Sequence, residues 1–311
     1  MFVFDNFLCS KRRKNTQFRG IITYGLVLFV AWRRKMDNLF PPSPSLKKHI
    51  GKCALCGKTD RISYEHIPPK AAFNSSRAKL ITLNTLLKEK NKYPWDMKGL
   101  PYISQQSGAG LFSLCEKCNN ITGKWYGAAY QSFAEKGMGV VTSKIDDIYN
   151  SVEFKEVYPL KFFKQIISMF CSLNPEANID DLRKFVLNRN TVGIDKNRYK
   201  ICMYFTRSTT KRHAGLMATG NIQTGEVILF SEIVACPFGF LLYIDPNEKM
   251  MTQGFDITSL SDYDYDEICN IKMPLIFKEV NTWMPYDYRS KNEIKKDIKE
   301  TDKWLNENKY T

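Results

Sequence analysis

The sequence predicts an α+β protein in two parts, a small cysteine-pinned module of strands and one helix followed by a larger C-terminal α+β domain. Three observations lead there. Two Cys-x-x-Cys pairs, Cys53/Cys56 and Cys115/Cys118, bracket a short region. Just before and after the second pair, the short strand-like run LFSL gives way to a helical pattern with Ala128, Ala129, Tyr130 and Phe133 on one face. Beyond residue 140, amphipathic helical runs are followed by alternating or apolar strand-like runs. An apolar content of 43% is enough for a packed core and argues against a disordered chain.

Each cysteine pair sets two thiolates on one side of a tight turn. Two such turns brought together make a tetrahedral four-sulfur site, the geometry of structural zinc. Gly57, directly after the first pair, suits a turn that needs positive φ. Zinc ribbons place their pairs about 15–20 residues apart. Here 58 residues separate Cys56 from Cys115, and they include Glu65-His66-Ile67-Pro68-Pro69-Lys70, which a plain ribbon does not need.

Cys53, Cys56, Glu65, His66, Ile67, Pro68, Cys115, Cys118, Asn119 and Gly123 together resemble the HNH endonuclease family. That family's pattern has a cysteine knuckle, then an acidic residue with His, an apolar residue and Pro, then a second knuckle followed at once by Asn or His. The resemblance covers about a quarter of the chain. It implies a treble-clef-like ββα-metal module stabilised by zinc on Cys53, Cys56, Cys115 and Cys118. It also implies a catalytic Mg²⁺ or Mn²⁺ and cleavage of nucleic acid. The position of the family's middle asparagine falls on Gly110, with Asn84 further away.

The chemistry is consistent with those residue types. Hydrolysis of a phosphodiester needs a water deprotonated and a leaving oxygen stabilised. A neutral imidazole, His66, can take the proton. Glu65 and the amide oxygen of Asn119 are oxygen ligands for a hard divalent cation that neutralises charge on the phosphate. The zinc knuckles would hold the strand carrying His66 against the helix carrying Asn119.

In chain order, residues 1–45 read as a basic and apolar extension with a linker, 46–140 as the nuclease-like module, and 141–311 as the C-terminal α+β domain that recognises substrate or a protein partner. The net charge is +14, and residues 1–35 hold half of it, eight basic residues against Asp5. The remainder is still basic enough to favour a polyanion. Ile21 to Trp32 is an apolar run of twelve residues, short of the about 20 of a membrane span. Arg33-Arg34-Lys35 stands where a signal-peptide cleavage site would fall, and Met36 opens a polar segment of its own. Two readings stay open for this stretch: a start codon assigned too far upstream, and membrane or partner contact by residues 21–32. Pro41, Pro42 and Pro44 form a stiff linker, and Lys47, Lys48 and Lys52 are placed to meet phosphate or solvent.

Within the module, LITLNTLL is a strand or short helix, Gly108 to Gly110 a turn, and Glu116 to Lys136 one helix ended by Gly137. Trp125 and Tyr126 read as core. Further on, TSKIDDIYNSVEF is a connector or short helix, and Leu160 to Leu173 is a helix with Pro159 in its first turn. Asn178 caps another short helix. Tyr199 to Arg207 and Glu226 to Ile244 are strands, and Lys291 to Asn308 is a charged helix.

Other chemistry-bearing residues read as structural. Cys171, Cys202, Cys236 and Cys269 sit in apolar runs as buried free thiols, which fits a reducing cytoplasmic setting. His213 in KRHAG reads as an exposed loop residue, with phosphate contact as the alternative. His49 is a stray candidate ligand beside a site the four sulfurs already complete. Asp262, Asp264, Asp266 and Glu267 form a solvated acidic loop without cation-binding spacing.

The expectation is therefore a metal-dependent endonuclease acting on DNA, and family analogy extends it to phage defence or mobile elements. Its rival is a zinc-knuckle nucleic-acid-binding protein without catalysis, and a third reading is a structural scaffold for protein partners. Glu65-His66 followed by Asn119 separates them, because a binding module has no use for that set.

Overall fold

The computed structural model describes residues 49–88, 93–143, 150–221, 226–247 and 252–307. The N-terminal extension and linker, with Lys47 and Lys48, lie outside those residues. Strand β1 (Ile50–Lys52) runs into the first cysteine turn and returns as β2 (Thr59–His66), antiparallel, with Ile50 opposite Arg61 and Lys52 opposite Thr59. Gly57 takes φ +71° at this reversal, as its lack of a Cβ allows. On its other edge β2 pairs with β5 (Gly110–Cys115), His66 facing Gly110 and Ile62 facing Cys115.

Between these two strands the chain forms a two-stranded ribbon, β3 (Ala78–Leu80) with β4 (Ile103–Gln105), and a short helix α1 (Leu83–Lys88). Helix α2 (Glu116–Thr122) starts as soon as β5 ends. It passes through a π-helical turn, Gly123–Gly127, into α3 (Ala128–Thr142). The helix thus continues past Gly137, where the sequence alone predicted its end. A Cβ at Gly137 would lie 2.2 Å from the Phe238 ring, so this glycine serves a close helix–sheet approach and not chain termination.

The rest of the chain is mixed α and β. Strand β6 (Ser151–Val157) occupies the end of the stretch expected as a connector or short helix. Helix α4 (Pro159–Leu173) begins with its proline at the first position. It is apolar on nearly every side and correspondingly buried, with Phe162, Phe163, Ile166, Ile167 and Phe170 fully enclosed. Helix α5 (Asp180–Leu187) follows. The expected Asn178 cap does not form: Ile179 stands at the cap, and the Asn178 carbonyl accepts from Arg198 instead.

Strands β7 (Tyr199–Phe205), β8 (Arg212–Asn221), β9 (Glu226–Ala235), β10 (Phe238–Ile244) and β11 (Phe255–Asp256) form one antiparallel sheet in the order β11-β7-β10-β9-β8. β12 (Cys269–Pro274) pairs with β6, and α6 (Lys291–Glu307) closes the described chain. No helix among the described residues is long and apolar enough to cross a membrane.

One buried cluster runs from Cys53 and Cys115 through Tyr126 and Phe133 to Phe162, Phe238 and Met273. Residues on both sides of position 140 therefore share a core, and the Phe133 and Phe162 rings stack with centroids 3.7 Å apart. Tyr126 is fully buried with its hydroxyl on the Val186 carbonyl at 2.7 Å, and Trp125 packs partly buried against the same cluster.

A second apolar cluster, including Tyr204, Phe230 and Tyr243, encloses an ion pair between Arg212 and Glu232. Arg212 Nη2 donates to Glu232 Oε1 at 2.8 Å. Its Nε lies 2.7 Å from Oε2, though that N–H is not aimed along the line. The carboxylate also accepts from the Tyr204 and Tyr288 hydroxyls and from the Tyr286 N–H. A buried pair so fully bonded is costly to break from one side. Glu232→Gln should lower stability by about 3–5 kcal/mol, because it leaves the guanidinium uncompensated. Urea unfolding followed by circular dichroism measures this, and a loss under 1 kcal/mol would show that the pair contributes little.

Candidate functional site

The hairpin β1–β2 and the junction of β5 with α2 bring all four module cysteines together. Their sulfurs lie within 4.8 Å of one another, with Cys56 and Cys115 3.9 Å apart. Four ligands at a zinc–sulfur distance of about 2.3 Å on a tetrahedron would sit about 3.8 Å apart. The donor set thus fits a metal such as zinc, and it is the one cluster of three or more His, Cys, Asp or Glu ligands among the described residues.

The first turn is tied by Gly57 N–H to the Cys53 carbonyl, and to β5 by Ala54 N–H to the Ser113 carbonyl. The Cys53 thiol is lowered to about 4, first by its hydrogen bond with Cys118 and then by backbone N–H groups of Cys115, Cys56 and Leu55. Cys118 is driven up by that same bond and by burial. Crowded thiols resist joint ionisation, and a bound dication relieves that conflict.

At the far end of β2, Glu65 and His66 point to opposite faces, as adjacent strand residues must. His66 shares its face with Tyr64, the two rings meeting edge-on with centroids 5.0 Å apart. Its Nε2 lies 2.9 Å from the Ser107 carbonyl oxygen. A carbonyl can only accept, so Nε2 carries the hydrogen and the neutral ring keeps its lone pair on Nδ1. Burial, with Lys70 and Lys211 nearby, holds the His66 pKa below its ordinary value, against the pull of the Ser107 carbonyl.

Glu65 is only 6% exposed, and burial pushes its pKa up to about 8. Its face is that of Ser63, which Asn119 touches. Asn119 lies in the first turn of α2, and its Nδ2 donates to Ser63 Oγ at 3.0 Å and to the Tyr64 carbonyl at 3.3 Å. The amide hydrogens are therefore turned toward β2, leaving Oδ1 as the end suited to a cation.

Two residues of this region escaped the sequence reading. Asn74 is fully buried in the loop after Pro68-Pro69. Its Nδ2 donates to the Pro68 and Ala109 carbonyls at 2.6 and 2.7 Å, and its Oδ1 accepts from Ala109 N–H at 2.9 Å. It pins the turn after His66 to the entry of β5, a positioning role for which the sequence had pointed only to Gly110 and Asn84. Gly110 instead allows close strand approach, since a Cβ there would lie 2.0 Å from the Glu65 carbonyl oxygen. Asn84 lies in α1, outside this contact.

The second residue is Lys211, whose amino group donates to Asn74 Oδ1 at 2.6 Å from the start of the C-terminal sheet. Its neighbour but one, His213, is not the exposed loop residue expected. It lies on β8 with Nε2 buried and unpartnered, and burial with Lys211 beside it lowers its pKa to about 4. Arg183 of α5 makes a second link across the chain, its Nε donating to the Ala54 carbonyl inside the first cysteine turn at 2.8 Å.

The other candidates carry no such arrangement. His49 packs its ring against Phe112. In the acidic loop, Asp262 pairs with Lys196 and Asp266 with Lys161, so neither is held for a cation. Cys171 and Cys202 are buried, while Cys236 and Cys269 are half-buried. A cleft of about 370 Å³ between α3 and β6 is lined by residues such as Lys136, Val140 and Glu153 and contains none of the candidate residues.

Compared with protein-family models, with curated proteins and with solved structures, the chain matches none of them.

Two outcomes follow from this geometry. Cys115→Ser should lose the bound metal and unfold the β1-β2-β5 layer, since metal ligation contributes about 10 kcal/mol in small metal-dependent folds. Elemental analysis and circular dichroism read both, and a well-folded wild type without metal refutes it. Asn74→Ala strands two carbonyls and two donors and should cost about 2–4 kcal/mol. Amide exchange should then accelerate in residues 66–74 and 107–110 first.

Proposed function

We propose that this protein is a metal-dependent endonuclease of the HNH type that hydrolyses phosphodiester bonds in nucleic acid, with DNA as its substrate. The observation that supports it most is the state of His66. The imidazole donates through Nε2 to a backbone carbonyl, is kept neutral by burial and by two nearby lysines, and retains an Nδ1 lone pair. That is the tautomer a general base requires. Two cations beside it suit a phosphate that must be held while an attacking water loses its proton.

In this reading Cys53, Cys56, Cys115 and Cys118 hold Zn²⁺ as a structural ion. Glu65 and Asn119 Oδ1 are the protein ligands of Mg²⁺ or Mn²⁺, which keeps several of its own waters and so needs few side chains. When bound, that ion neutralises charge on the phosphate and on the leaving oxygen. His66 takes the proton of the attacking water, Asn74 holds the turn that follows it, and Asn119 keeps α2 against β2. The resemblance in motif order supports the same assignment, and family analogy extends it to phage defence or mobile elements.

A second reading, a zinc-knuckle nucleic-acid-binding protein without catalysis, draws on two observations. Strand alternation sets Glu65 and the Asn119 contact on the face of β2 opposite His66. The Glu65 carboxyl is buried and pushed up to about 8, so it is mostly uncharged at neutral pH. The C-terminal sheet as a surface for a protein partner is compatible with either reading.

Plasmid cleavage in Mg²⁺ or Mn²⁺ separates them. His66→Ala should lose about 100- to 10,000-fold in rate while keeping DNA binding, because only the proton acceptor is gone. Asn119→Ala and Glu65→Gln should also lose activity but recover part of it at high Mn²⁺, which His66→Ala should not. Full activity in folded His66→Ala protein removes the hydrolase reading and leaves the binding protein.

A further inference from the structure

The C-terminal sheet reaches the His66 loop through the residue that precedes β8. Lys211 is half-buried, and burial lowers its pKa. Its ammonium has three donors, one of which goes to Asn74 Oδ1. Lys70 is exposed and ends the turn that His66 begins. Both lie close enough to His66 to act on it electrostatically.

Neither lysine has a carboxylate within ion-pair distance among the described residues. Asn74, which Lys211 contacts, is an uncharged amide, and its backbone N–H donates to the Lys70 carbonyl at 3.2 Å. Two cations from distant parts of the chain thus come to the His66 loop without a carboxylate partner among the described residues, and one of them is half-buried. Buried positive charge without a partner is unfavourable unless an anion completes the site.

We propose that Lys211 and Lys70 form a phosphate subsite beside His66, so that the C-terminal sheet itself grips the phosphodiester the site acts on. That this phosphate is the one cut rests on the hydrolase reading above; that a nucleic-acid phosphate is bound there does not. Lysine suits the role as a point charge that does not demand the planar fork of an arginine site. The subsite also makes the module incomplete by itself, because one of its two cations lies 137 residues from the Asn74 it contacts.

The test uses the full chain carrying His66→Ala, a short fluorescent DNA duplex and a series of KCl concentrations. Lys211→Met and Lys70→Met should each reduce the magnitude of the log–log salt slope by about 0.9, the value of one phosphate contact on duplex DNA. Lys211→Arg should keep the slope. Unchanged slopes in Lys211→Met and Lys70→Met overturn the subsite. So does an equal slope loss from Lys272→Met, an exposed lysine on β12, which would mark unspecific charge.

If Lys211→Met is too unstable to read, Lys70→Met and Lys211→Arg decide. Cleavage by the wild type is scored separately. A slope loss in a chain that does not cut DNA keeps the subsite and removes the hydrolase reading. A cutting wild type with unchanged slopes does the reverse.

Discussion

Four sulfurs held within 4.8 Å of one another are the constraint on which the N-terminal half depends. The two turns that carry them are separated by 58 residues, one closing the β1–β2 hairpin and the other opening α2. Bringing them together sets the pairing of β2 with β5 and the angle at which α2 leaves the sheet. Glu65 and His66 at the end of β2, and Asn119 in the first turn of α2, inherit their spacing from that junction. Three short strands and a seven-residue helix have little apolar area of their own. A metal held by the four sulfurs at their base would cross-link them and offset that shortage.

The module is also held from outside. Its Phe133 stacks on Phe162 of α4, and one buried cluster includes both. Arg183 takes the carbonyl of Ala54 within the first cysteine turn while donating to the Ala177, Asn174 and Pro175 carbonyls on its own side. Lys211 takes Asn74, which in turn holds the loop after His66. The first cysteine turn and the histidine loop are therefore each anchored by one long cationic side chain from the C-terminal part. Such support is what keeps a site near its working geometry, since a side chain displaced by about 1 Å is a poor catalyst or ligand.

Burial acts on three ionisable groups here in one direction. It raises Glu65, and it lowers His66 and Lys211, each toward its neutral form. The Arg212–Glu232 pair behaves otherwise although it is more deeply buried, because each charge finds its opposite and the carboxylate is fully hydrogen-bonded. The contrast separates a pair that completes itself inside the fold from a group of residues whose charges have no partner within it.

The sequence by itself determined the parts whose cause is local. The Cys-x-x-Cys spacing defined two turns whose sulfurs the fold gathers into a possible metal site, and Gly57 marked the reversal after the first. Apolar periodicity located α4, and alternating or continuous apolar runs located β7, β9 and β10. The placement of Asn119 in the first turn of α2 was legible because the helical pattern opens directly after Cys115 and Asn119 follows Cys118. Only the tertiary structure decided the rest, because the partners are remote in the chain. Asn74 has no local signature, since it bonds to residues 6, 35 and 137 positions away. Gly137 looked like a helix end by local rules, yet Phe238, from β10, determines why that residue must be glycine. Lys211 and His213 looked like surface residues of a basic loop until β8 carried them to the His66 turn. Backbone preference acts over a few residues and can be read in order, whereas burial and charge depend on whatever the fold brings alongside.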